Sequence, residues 1–341
     1  MKATKEKTKK LTGSKAMIQA LEQEMNRDDS IFIMGEDVGK YGGIFGSTTG
    51  LFDKFGGERV MDTPISETGF IGAAVGAAAE GFRPIVELMF VDFHGVVMDQ
   101  IYNHIAKIHY MSGGAVKLPI VLMTAVGGGY SDAAQHSQTL YASFGHLPGL
   151  KVVAPTFPHD IKGMLISAIR DDNPIIFMFH KTLQGLGWMD QIDASLGEVP
   201  ENAYTVTLNK AKVVRKGKDI TIVGTQMMTV EALKAAEELA KKGIEAEVID
   251  LRSIKPIDKE TILQSVSKTH HLLVVDEDYL SYGITAEISA IVASEGFDDL
   301  NAPIGRLAIP DVPIPYSRVM EKFVIPDSKS IIDSVLKLIT V

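Results

Sequence analysis

At 341 residues the chain is too long for one ordinary hydrophobic core, so two domains are expected. Its 45% hydrophobic and 23% charged residues are those of a globular protein, and a net charge of −9 argues against nucleic acid or an anionic membrane as the main partner. The absence of cysteine excludes disulfides, thiolate metal sites and a cysteine nucleophile, and fits a reducing, cytoplasmic setting. No apolar run approaches the ~18–20 residues that span a bilayer. The scattered histidines form no H-E-x-x-H pair, which argues against a zinc enzyme.

Lys2, Lys5, Lys7, Lys9 and Lys10 make residues 1–13 a mobile basic tail, with no apolar segment behind it to form a signal peptide. Ser14 is placed to cap a helix through about Arg27, with Ala16, Met17, Ala20, Leu21 and Met25 on one side. Ile31-Phe32-Ile33-Met34 is a strand buried on both faces, ending at Gly35-Glu36-Asp37. The glycine-rich stretch 41–50 fits neither G-x-G-x-x-G nor a Walker loop, and reads as a flexible or closely approached surface. Val60-Met61 is a short strand. After Pro64 comes Glu67, then Gly69, Gly72, Ala73, Gly76, Ala77 and Gly81 at helical spacing. Glycine inside a helix costs about 1 kcal/mol relative to alanine, so a run of them implies close packing, within this chain or against another.

Ile85–Phe90 is a strand, and a long helix is expected from about Val96 to Met111. Strands follow at 119–126, 151–154 and 175–179, with a helix from Pro158 to Ile169. This alternation predicts a doubly wound parallel α/β sheet over residues 14–182. Residues 183–207, with four Gly or Pro and no periodicity, read as a linker. A second α/β unit then occupies 208–341, with strands near 219–224, 246–249 and 271–275 and helices near 230–242, 284–294 and 328–339. Asp258 is placed to cap one further helix.

Three groups of residues are candidates for chemistry. Glu67 is either a first-turn acid favoured by the helix dipole or a buried acid able to share a proton with a ring nitrogen. His136, among Gln135, Ser137 and Gln138, is either a proton donor or substrate ligand, or a structural loop histidine. Asp171 and Asp172 at a helix carboxyl end oppose its dipole. Either they are solvated acids before Pro174, or a hard cation bound to them and to the last carbonyls relieves the conflict. Glu36-Asp37 and Asp276-Glu277-Asp278 read as loop polar groups at strand ends.

Along nearly its whole length the chain resembles one enzyme group. The motifs are Ile33-Met34-Gly35-Glu36-Asp37-Val38, Asp62-Thr63-Pro64-Ile65-Ser66-Glu67, Ala133-Ala134-Gln135-His136-Ser137-Gln138 and Pro148-Gly149-Leu150-Lys151-Val152-Val153. Lys162-Gly163-Met164-Leu165 and Val312-Pro313-Ile314-Pro315-Tyr316 join them. They are similar to the beta subunits of the decarboxylating dehydrogenase component of 2-oxoacid and acetoin dehydrogenase complexes. The resemblance implies a transketolase-like, thiamine diphosphate-dependent enzyme, with this chain supplying the pyrimidine-binding domain and the carboxyl-terminal domain.

By that resemblance Glu67 hydrogen-bonds the aminopyrimidine and favours the imino tautomer that generates the thiazolium ylid. Phe93 would stack on the pyrimidine, with Ile65 and Met89 beside it. His136 would serve substrate binding or acyl transfer. A potassium site would use carbonyls of Ile120, Ala168 and Ile169 together with Asp171 and Asn173. The chain has no G-D-G motif for the diphosphate and its metal. An alpha subunit is therefore expected to hold Mg2+ and the diphosphate, in an α2β2 heterotetramer that serves a lipoyl acyltransferase core.

Glu87–Phe93 and Gly46–Leu51 look more like acetoin dehydrogenase beta subunits, because many pyruvate and branched-chain members carry a basic residue where Gly46 stands. The stretch 183–188 departs from the pattern of all of these. Two readings of other classes are a nucleotide-binding dehydrogenase, which the missing G-x-G-x-x-G disfavours, and a non-catalytic scaffold docking through Glu295, Asp298, Asp299 and the terminal carboxylate.

Overall fold

Continuous runs of β-branched and other large apolar residues, with no polar face, can only be buried between helices, and the parallel strands of this chain are such runs. The computed structural model describes residues 7–340. It divides into one unit of residues up to Ala125 with Phe144–Leu208, and a second of Val126–Ser143 with Asn209–Val341.

In the first unit the strands lie in the order Lys151–Val153, Ile175–His180, Val121–Val126, Arg83–Phe90, Ile31–Gly35, Val60–Asp62. The registered neighbours run parallel. Gly35 pairs with Asp62 on one side and Glu87 on the other. The helices Gly13–Arg27 and Pro158–Arg170 bury Met17, Leu21, Met25, Ile161, Met164 and Leu165 in its core. Thr12, not Ser14, caps the first of them. In the second unit the order is Gly305–Ile309, Leu272–Tyr279, Ile220–Gly224, Ala246–Asp250, Lys212–Arg215, parallel except for the last. Its helices include Met227–Ala240, Lys259–Thr269 capped by Asp258, Ile284–Glu295 and Ser328–Ile339.

Four further expectations change. Lys2 and Lys5 lie outside the described residues, but Thr8–Thr12 is a strand, antiparallel to Leu196–Pro200. Lys7 and Lys9 reach Glu201 at 3.4 and 3.2 Å. The stretch read as a linker is therefore tied down, and the buried Lys162 ammonium adds to this by donating to the carbonyls of Pro200 and Asn202 at 2.6 and 2.7 Å. Gly163 lets the chain pass close, since a Cβ there would meet Val206 at 2.4 Å and Tyr204 at 2.6 Å. The long helix expected over 96–111 is broken into a 3-10 segment, Val91–Val97, a π segment, Gln100–Ile105, and one α turn, Ile108–Met111.

The fourth change is the glycine-rich stretch, which is a packed loop with Gly42, Gly43, Phe45, Ser47 and Thr48 buried. Its anchor is Ser47, whose hydroxyl donates to Glu87 in the middle of the sheet. Burial pushes the Glu87 carboxyl up to about 7, against the partial opposition of that hydrogen bond. The folded chain thus prefers the protonated acid. The associated stability is fully present below about pH 4.5 and is lost as pH rises through about 7. Glu87→Gln is neutral throughout, so it is expected to match the parent in urea unfolding near pH 5 and to exceed it at pH 8, by up to about 3 kcal/mol. The same difference at both pH values would show that Glu87 is not buried as an acid.

Candidate active site

Because Gly35 is level with Asp62 and Glu87, whatever follows these three parallel strands emerges at one edge of the sheet. That is the edge where open α/β sheets bind ligands. Glu36 follows the first strand directly. The second passes through Thr63, whose N–H donates to the Gly35 carbonyl at 3.0 Å, to Pro64 and Ile65, and the helix Glu67–Ala79 begins. The third ends at Met89 and Phe90 and turns into Phe93, which meets Phe90 edge-on at 5.6 Å between ring centroids. Glu67, Ile65, Met89 and Phe93 are therefore brought to one edge.

Glu67 is half-buried, not fully buried, in this chain, and Ile65 is 84% exposed. The helix behind it buries Phe70, Ile71, Ala74, Val75 and Ala78 and leaves Gly69, Ala73 and Gly76 exposed. A Cβ on Gly76 would meet nothing within 4 Å, and one on Gly72 would meet only Gln100, at 3.9 Å. Among the described residues of this unit, no element fills the space that Gly72 and Gly76 leave.

Glu36, read from the sequence as a loop acid, belongs to the same edge. Its Oε1 is buried with no hydrogen-bond partner among the described residues. Burial pushes its carboxyl up, and the negative charges of Glu67 and Asp37 push it further. The signal for it lay in its position at a strand's carboxyl end, one strand away from the Glu67 segment.

His136 lies in the second unit, half-buried, on a loop closed by the Gly127 N–H donating to the Gln138 carbonyl at 2.9 Å. Next to it Ser137 is buried, with a hydroxyl that has no partner among the described residues.

Ile120, Ala168, Ile169, Asp171 and Asn173 also come together, at the opposite edge of the sheet, where strands begin. There the chain's own cations answer the dipole conflict. Lys151 forms an ion pair with Asp171, and Arg83 donates to the carbonyls of Ile169 and Asp171 at 3.0 and 2.8 Å. Arg83 and Lys117 hold Asp172 at 3.1 and 2.7 Å, and Arg170 pairs with Glu24. Burial raises Asp171, but Lys151 and Asn173 outweigh it and the carboxyl lies below its ordinary value. The Ile120 carbonyl already accepts from the Ile175 N–H at 2.9 Å. Among the described residues no group of three acidic or histidine side chains is placed to hold a metal ion, and no helix is long and apolar enough to cross a membrane.

Comparison with known proteins now bears on these features. Residues 9–185 match the transketolase pyrimidine binding domain and residues 209–331 the transketolase C-terminal domain. The beta subunit of acetoin:2,6-dichlorophenolindophenol oxidoreductase from Cupriavidus necator is 47% identical over 333 residues, 95% of this chain and 96% of that one. The chain belongs to the family of acetoin and pyruvate dehydrogenase beta subunits. The mitochondrial pyruvate dehydrogenase E1 component subunit beta of Dictyostelium discoideum is likewise 47% identical, over 96% of this chain and 90% of its own. The Bacillus subtilis acetoin oxidoreductase beta subunit is 43% identical, over 96% of both. A split-gene transketolase, solved as an inactive beta4 tetramer, has the same fold with a TM-score of 0.75 at 23% identity, covering 97% of this chain and 98% of that one.

If Glu36 and Glu67 share this edge, neutralising one must relax the other. Glu67→Gln is expected to lower the titration midpoint of the Glu36 carboxyl, read by carboxyl-carbon NMR. An unmoved midpoint would separate the two acids.

Proposed function

We propose that this chain is the beta subunit of a thiamine diphosphate-dependent dehydrogenase component that cleaves acetoin and passes the acyl group to lipoyl-lysine on an acyltransferase core. The supporting observation is the edge where Glu67 stands half-exposed beside the uncovered Ile65, with Phe93 braced on Phe90 and an unpartnered buried oxygen on Glu36. These residues fit an aminopyrimidine, which needs an acid for a ring nitrogen and apolar walls. Glu67 would hold a proton against that nitrogen, while Ile65, Met89 and Phe93 bind and exclude water. The cofactor, when bound, supplies an electron sink for cleavage of the bond beside the substrate carbonyl. His136 would bind the substrate oxygen or donate a proton during acyl transfer.

The alpha subunit is needed for the diphosphate and Mg2+. The glycines left uncovered on the helix behind Glu67 favour close approach by that second chain in an α2β2 assembly. The names of the relatives, all beta subunits, point the same way.

A second reading, decarboxylation of pyruvate or a branched-chain 2-oxoacid, rests on the equal 47% identity to a pyruvate dehydrogenase subunit. Gly46 favours acetoin. Its φ is +67°, and a Cβ there would meet Leu186 at 3.1 Å, so a long basic residue would need a different loop path. A potassium ion at the Asp171 loop would have to compete with Lys151 for the carboxylate.

Assembled with its alpha partner, Glu67→Gln is expected to fold and bind cofactor yet lose exchange of the thiazolium C2 proton by at least about a hundredfold. Near-normal exchange would overturn the assignment. Turnover of acetoin against pyruvate with an artificial electron acceptor decides the substrate. For the cation, a melting temperature raised by K+ but not by Na+, and lost in Asp171→Asn, is expected if the loop binds potassium. Equal melting in both salts removes that site.

A further inference from the structure

The short helix Arg318–Val324 is built unusually. Val319, Met320 and Phe323 are exposed, and its one buried residue is a glutamate, Glu321, with no exposed surface at all. A helix normally packs by an apolar stripe. This one turns a carboxylate inward, and a buried carboxylate must be satisfied or it destabilises the fold. The partners of Glu321 are backbone groups of the loop that carries His136. Oε1 accepts from the Gly129 N–H at 2.8 Å and Oε2 from the Ser131 N–H at 3.0 Å, with the Ser131 hydroxyl at 3.3 Å.

Glu277, also buried, takes the Gly128 N–H at 2.6 Å on its Oε1. Gly128 passes between the two acids, since a Cβ there would lie 3.4 Å from Glu321 Oε1 and 3.5 Å from Glu277 Oε1. At the far end of the loop, the Thr139 hydroxyl donates to the Glu277 carbonyl at 3.2 Å, and Asp278 accepts backbone hydrogen bonds from Leu140, Tyr141 and Ala142. The strand segment Asp276–Asp278 and Glu321 thus frame both ends of the loop. The loop needs framing, because Ser131 and Ala133 sit at φ of +63° and +64°, conformations that their side chains disfavour.

We infer that Glu321 is a positioning residue whose carboxylate, gripping the Gly129 and Ser131 amides, fixes the loop that presents His136. Its catalytic consequence rests on the role proposed above for His136, whereas the grip itself does not. Glu321→Gln keeps the size of the side chain but sets an amide N–H2 against backbone N–H donors. In the enzyme assembled with its alpha subunit, this variant is expected to retain cofactor affinity and a cooperative melt. Hydrogen–deuterium exchange of peptides from 127–138 should quicken by about tenfold or more, the order expected for one lost charge-assisted hydrogen bond.

kcat/KM for acyl transfer should fall by a similar factor in the parent background and by less than about twofold in a His136→Ala background, because the two changes act through one group. Unchanged exchange in 127–138 would overturn the grip. Equal losses in both backgrounds would overturn the positioning role. If the wild-type assembly turned over neither acetoin nor any 2-oxoacid, the proposed function would fall while the exchange measurement still tested the grip. Should Glu321→Gln fail to melt cooperatively, Ser131→Ala, which removes one donor to the same carboxylate, gives the same exchange readout in a weaker form.

Discussion

Parallel register is the constraint from which the first unit's chemistry follows. Once Gly35 lies level with both Asp62 and Glu87, two strands stop together and the third runs on to Phe90, and all three exits leave at one edge. Two of those exits deliver Glu36 and Glu67, and the third delivers Phe93. Placing two carboxylates at one edge is unfavourable, and the cost is visible at Glu36. Glu36 is pushed up by burial first and by its neighbours' charge second. Desolvation therefore outweighs repulsion in holding the Glu36 carboxyl back from ionising.

The chain's acids illustrate three ways of treating a carboxylate. Asp171 and Asp172 are neutralised by side-chain cations, which resolves the unfavourable dipole without an added ion. Glu277, Asp278 and Glu321 are satisfied by backbone N–H groups, so they act as struts for a loop. Glu36 has an oxygen that nothing described satisfies. Cations and amides explain the first two groups as architecture. Glu87 and Asp276 have such an oxygen too, so what sets Glu36 apart is its place beside Glu67 at the ends of neighbouring strands.

What the sequence made legible follows from which forces are local. Continuous apolar strands and the striped helix Pro158–Arg170 are read from period alone, and both stand as expected. Asp258 caps its helix by the short-range rule that predicted it. The failures are long-range. Thr8–Thr12 is a strand because Leu196–Pro200 lies beside it, more than 180 residues on. Residues 196–206 are held because Lys162 and Gly163 receive them. Glu321 looks like any glutamate on a short exposed helix, and only the fold shows that its carboxylate has been turned inward.

The helix Glu67–Ala79 could have been explained by either of two kinds of close packing. Among the described residues no element crosses on its glycines, since Gly76 faces open space and Gly72 meets only the Gln100 Cγ, at 3.9 Å. Interior glycines weaken a helix by about 1 kcal/mol each, a cost borne here by the packing of Phe70, Ile71, Ala74, Val75 and Ala78 on its other face. The exposed Ile65 at the head of the same helix repeats the pattern, an apolar surface with nothing on it. Surface left smooth along the helix and sticky at its start is what a second chain would require to come within backbone distance and enclose Glu67. In this chain alone the carboxylate is half in water, and an acid that must hold a proton on a ring nitrogen works better out of it. Under the function proposed above, the half-burial of Glu67 is the property of half a site and does not count against the role proposed for it.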